Sequence, residues 1–190
     1  VVFIFWFLEI DQGWGRMPME PPSRNDGACE RTYAELKDLR GGVADTSTLI
    51  YLENLGLLPL VGQWLLFVLT PQVITEFGRQ PEGMLLFPAT STTTADDAVV
   101  QTAVRLGLPI LSEDGRLLRQ ARRLRHPHYN SLMLLLALQA QGVLPASECT
   151  RLRQTLLGFA RYSSAVIAHG DRVLQMIREA GDHPFSPETG

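Results

Sequence analysis

From residue 41 onward, apolar and polar positions alternate in short blocks. "GVAD" is a brief apolar segment closed by Asp45. "STLIYLENLG" follows, with Leu49, Leu52 and Leu55 on one helical side and Gly56 as a stop. A second helical piece runs through "LLPLVG". "WLLFVL" (64–69) is a continuous apolar run, the pattern of a strand buried on both faces. "TPQVITEFG" predicts a helix with Thr70 as cap, Pro71 in the first turn and Gly78 at the end.

Beyond the loop "GRQPEG", "MLLF" predicts a third strand. "TSTTTADDAVVQTAVRLG" predicts a helix capped by threonine, with acids in its first turn and Gly107 as its stop. "LPILS" predicts a strand, "EDGRLLRQARRL" a helix and "YNSLMLLLALQAQG" a long apolar helix. Residues 145–181 predict one or two further amphipathic helices. Alternation of this kind predicts an α/β fold, with a parallel sheet carrying helices on both faces. The division expected is a poorly structured lead-in over 1–38, an α/β unit over 39–144, a helical extension over 145–181 and a loose tail over 182–190.

Composition narrows the classes. A chain of 190 residues that is 45% hydrophobic suits one domain with a real core. Its net charge of −3 excludes a global basic field, so any polyanion site must be local. Two cysteines without partner spacing, and no CxxC or His/Cys metal pattern, point to a reduced, cytoplasmic compartment. The opening "VVFIFWFL" is too short to span a bilayer and lacks the basic start and cleavage site of a signal peptide. It reads as part of the lead-in, with Met17 or Met19 as the start and residues 1–16 dispensable; the competing reading is a membrane-surface anchor. No membrane partner is expected.

The candidate chemistry lies in the acids. In a parallel sheet the residues just after the strands gather along one edge, where ligands bind. Asp45 follows the first strand and Asp114 the "PILS" strand; Glu76 and Asp96 lie in the helices after the second and third. Clustered carboxylates repel one another, and a divalent cation removes the conflict. Magnesium or manganese suits an all-oxygen donor set and activates water for attack on a phosphodiester.

Four stretches, in order, carry a family resemblance: "VADTSTLIYL", "VLTPQVITEF", "ADDAVVQTAVRLG" and "LPILSED". Over residues 43 to about 144 the chain resembles the PIN-domain family of metal-dependent ribonucleases, which includes toxins of toxin–antitoxin pairs. The resemblance implies a three-layer fold and Asp45, Glu76, Asp96 and Asp114 as a catalytic set holding Mg2+ or Mn2+, with Ser47 in support. RNA is the implied substrate, and an antitoxin protein the implied partner of a toxin. The helices after "RHPHYNSLMLLLALQAQGVLP" extend beyond the compact toxin form.

Each residue also has a plainer role. Asp45 could cap the helix, although Ser47 can do that itself. Glu76 could be a solvated helix residue and Asp114 a turn residue. Asp96 and Asp97 compete: Val99, Val100, Ala103 and Gly107 lie within about 60° of Asp96 on a helix, so Asp96 heads the buried face and Asp97 the wet flank, as a supporting acid. Arg116, Arg119, Arg122, Arg123 and Arg125 form either a solvated helix face or a phosphate-binding stripe. Asn130 is a helix cap or an amide touching RNA. Leu132, Leu135 and Leu136 are core or a homodimer face. A catalytically silent PIN-like module binding RNA or protein is the alternative to the enzyme. A response-regulator-like domain uses acids at the same edge, but its expected lysine is missing.

Overall fold

A computed structural model of the chain describes residues 26–88 and 94–181. Residues 1–25, 89–93 and 182–190 lie outside this description, and with them the apolar start and the tail considered above. In chain order the elements are α1 (Asp26–Lys37), β1 (Gly41–Ala44), α2 (Thr46–Asn54), α3 (Leu58–Trp64), β2 (Leu66–Leu69), α4 (Pro71–Phe77) and β3 (Leu85–Leu86). Then come α5 (Ala95–Leu106), β4 (Ile110–Leu111), α6 (Gly115–Arg123), β5 (His128–Tyr129), α7 (Ser131–Ala140), α8 (Ala146–Phe159) and α9 (Ser164–Gly181). The fold is α/β, with an all-parallel five-stranded sheet flanked by helices, compatible with a PIN-like three-layer fold.

Strand order is β3-β2-β1-β4-β5. Val43 stands opposite Val68, Ala44 opposite Leu111, and Leu111 opposite Tyr129. All strands therefore end at nearly the same level. The order reverses between β1 and β4, the place where open parallel sheets form their ligand crevice. Close pairing there needs Gly41 and Gly42. A Cβ on Gly41 would meet the Leu66 carbonyl oxygen at 2.1 Å, and one on Gly42 the Pro109 carbonyl oxygen at 2.7 Å.

Several caps fall where the sequence predicts them. Thr70 accepts from the Val73 amide and Thr94 from the Asp97 amide, while Gly78 and Gly107 end their helices in the left-handed region. The "WLLFVL" run divides. Trp64 closes α3 and is exposed, and only Leu66–Leu69 enter the sheet. The third strand shrinks to two exposed edge residues, and β5 is a strand the periodicity does not reveal, since two residues cannot display a period.

One correction concerns the lead-in. Residues 26–37 are helical: Cys29 and Leu36 are buried, and Tyr33 packs against the same core. Three apolar anchors in a polar helix give too weak a pattern to read alone. The C-terminal helices also belong to the main core. Every residue from Ser131 to Leu138 of α7 is buried, because α1, α8 and α9 pack around it while it contacts β5 and α2. Leu132, Leu135 and Leu136 are therefore core. Among the described residues, no helix is long and apolar enough to cross a membrane.

Candidate active site

Asp45 sits where β1 ends, 7% exposed. Its backbone N–H donates to Leu111 of β4 at 3.0 Å, holding it at the β1–β4 crevice. Its carboxylate caps α2 by accepting from the Thr48 amide at 2.9 Å. Two serines complete the shell. Ser47 Oγ donates to both carboxylate oxygens at 2.9 Å, and Ser112 Oγ donates to Oδ2 at 2.5 Å. Burial raises the Asp45 pKa above the ordinary carboxylate range, and these donors oppose the rise. Capping therefore does not use up the group: Oδ1 serves the helix, while Oδ2 ties it to Ser112 after β4.

The serines tie Asp45 to the loop after β4. Ser112 Oγ accepts from the Asp114 amide at 2.9 Å while donating to Asp45. Ser47 Oγ likewise accepts from the Glu113 amide at 3.0 Å. Asp114 caps α6 by accepting from the Arg116 amide, and the Arg116 guanidinium lies 3.7 Å from its other oxygen. Glu76 is exposed and accepts from Thr46 Oγ1 at 2.7 Å, one residue from Asp45.

Asp96 and Asp97 part company. The pKa of Asp96 is raised by burial first and then by the negative charges of Asp114 and Glu76, with Arg116 opposing and Asp97 adding. Asp97 turns back to its own helix start, where it accepts from Thr94 Oγ1 at 2.9 Å. Asp96 is thus the one of the pair whose electrostatic neighbours are the other candidate acids. A carboxylate raised by like charges is a group that a cation would favour.

The donor set is all oxygen, which suits magnesium or manganese. Among the described residues, however, no three His, Cys, Asp or Glu side chains are gathered as a metal-binding group. The reason is local. Both Asp45 oxygens already accept from serines, and Asp114 is bonded to its own helix. The acids share an edge without closing on one point.

Of the predicted RNA-contacting residues, Arg116, Arg119, Arg122, Arg123 and Arg125 are all exposed. Arg125 follows α6 with φ 52° and ends that helix. Asn130 caps α7, its Oδ1 accepting from the Met133 amide at 3.0 Å. Sequence reasoning missed Thr46, Ser112, Glu113 and Tyr162. Glu113 accepts from the Ser131 amide at 2.5 Å and from the Tyr162 hydroxyl at 2.7 Å, and its pKa is raised by burial. Tyr162's own burial, and then the neighbouring Glu113 charge, drive its pKa far up. Ser112 had a signal, as a polar residue closing an apolar strand; Tyr162, 49 residues from Glu113, had none. The chain matches no known protein-family profile and no characterised protein.

Proposed function

We propose that the chain is a metal-dependent endoribonuclease of PIN-like type. The observation that carries this reading is the link from the Asp45 carboxylate through Ser112 to the Asp114 backbone at the β1–β4 reversal, with Asp96 raised by burial and then by the charges of Asp114 and Glu76. Asp45, Asp96, Asp114 and Glu76 share this edge without yet meeting at one point, and would have to draw together to hold Mg2+ or Mn2+. The bound ion would supply a nucleophilic water and neutralise charge building on phosphorus. Ser47 and Ser112 fix the orientation of Asp45 through the hydrogen bonds they donate. Arg116, Arg119 and Arg123 lie on the exposed side of α6, directly after Asp114, and would hold the RNA backbone by charge without reading sequence. A toxin role with an antitoxin partner is a narrower form of the same reading. A cytoplasmic setting belongs to the same reading.

One observation favours a second reading, the catalytically silent RNA- or protein-binding module: both oxygens of Asp45 are already satisfied by protein donors. Manganese titration with cleavage of single-stranded RNA separates the two. The enzyme binds metal and cuts, and Asp114→Asn or Asp96→Asn abolishes cutting with little loss of fold. Asp97→Asn changes activity by less than about 1 kcal/mol, as a half-buried charge bonded only to its own helix cap should. Metal-independent behaviour of the wild type, or equal losses from Asp96→Asn and Asp97→Asn, would overturn the assignment.

A further inference from the structure

The arginines of α6 do not form one stripe. Arg122 turns to the outer edge of the sheet, where its Nε donates to His128 Nε2 at 3.3 Å. A hollow of about 460 Å³ opens there between β5, α1, α6 and the starts of α7 and α9. Its polar lining includes Arg122, His128, His169, Thr32, Asn130 and Ser163. Leu118, Met133 and Val166 give it an apolar wall. A second hollow of about 370 Å³ shares Arg122 and His128 with it and adds Arg125 and His126. Three of the chain's four histidines thus stand around one edge strand.

The cationic and imidazole groups are held in place. His128 Nδ1 lies 2.9 Å from the His126 carbonyl oxygen, so it carries the proton and leaves Nε2 to accept from Arg122. Thr32 Oγ1 donates to the Ala28 carbonyl and so accepts from His169 Nε2 at 3.0 Å. Glu35, the carboxylate lining both hollows, is already engaged by the Tyr129 hydroxyl at 3.0 Å. Arg122 meets no carboxylate at ion-pair distance among the described residues. An oriented guanidinium with no carboxylate at ion-pair distance, beside an apolar wall of Leu118, Met133 and Val166, is suited to a ligand with a phosphate at one end and a flat base at the other.

We propose that this hollow binds a nucleotide unit, with Arg122 taking the phosphate and Leu118, Met133 and Val166 receiving the base. The unit is either free or part of an RNA strand. The proposal is independent of phosphodiester hydrolysis, because none of Asp45, Glu76, Asp96 and Asp114 lines the hollow.

The test is calorimetric titration of the full chain in chelator, without divalent metal, so that failure of the nuclease reading cannot mask it. The probes are 5′-AMP, adenosine and a short single-stranded RNA lacking terminal phosphates. Saturable binding of AMP but not adenosine indicates the free nucleotide as the source; tighter binding of the oligonucleotide indicates the strand; either supports the site. Arg122→Gln should weaken the bound probe about tenfold or more at unchanged melting temperature, as loss of a charge-assisted hydrogen bond does. Val166→Trp, which fills the apolar wall, should weaken it as well and serves if Arg122→Gln folds poorly. The proposal is overturned if the wild type binds neither AMP nor the oligonucleotide. It is equally overturned if both variants bind like the wild type, or if only Arg119→Gln and Arg123→Gln weaken the oligonucleotide.

Discussion

Asp45 accepts from the Thr48 amide, Ser47 and Ser112 while remaining almost wholly buried. Burial disfavours its charge, and the three donors recover only part of that loss, so its folded pKa stays raised. The sign of the linkage follows. A carboxyl whose pKa is higher folded than unfolded stabilises the fold fully below about pH 4, the unfolded carboxylate range. That contribution is lost as pH rises through the folded value. Asp45→Asn removes this titration. The melting temperature of the variant, measured against the wild type from pH 4 to pH 7, should therefore shift in the variant's favour as pH rises. A difference independent of pH would mean that the carboxylate is better solvated or better bonded than its surroundings indicate.

At the scale of elements, α6 divides its labour by face. Leu117 and Ala121 are buried, while Arg116, Arg119 and Arg123 stay in water on the other side. Its first turn begins at Asp114, so this exposed face starts beside the candidate acids. Arg119→Gln with Arg123→Gln should weaken single-stranded RNA binding and lower the salt slope by about 1.4, at about 0.7 per phosphate contact. Fluorescence anisotropy over a range of salt concentrations measures that slope. An unchanged slope would return this face to the role of an ordinary solvated surface.

The whole molecule is organised around α7. Its leucines meet sheet and helices on all sides, and Leu156 of α8 and Val173 of α9 are fully buried within the same core. A helix apolar all round needs such enclosure. Truncating Leu156 to alanine should therefore cost about 2–5 kcal/mol. It should lower one cooperative transition rather than melt the C-terminal helices first. Coincident near- and far-ultraviolet circular dichroism curves would bear this out. An early, separate loss of helix would show α8 and α9 to be an independent unit.

The sequence by itself determined the alternation of strand and helix, the caps at Thr70 and Thr94, the stops at Gly78 and Gly107, and the placing of acids after strands. These are local properties, set by periodicity and by backbone preferences that a few neighbouring residues carry. The expected contrast in burial between Asp96 and Asp97 does not appear, since both are half-buried; what divides them is their neighbours, Thr94 for Asp97 and the other acids for Asp96. Only the tertiary structure decided that α1 belongs to the core, that β5 exists, and that Leu132, Leu135 and Leu136 are buried inside one chain. It alone brought Tyr162 to Glu113, and it alone turned Arg122 away from its neighbours toward His128. Those outcomes depend on partners distant in sequence, or on helix faces whose cover lies in another element. A weak local pattern such as the three anchors of α1 acquires meaning only when that cover arrives.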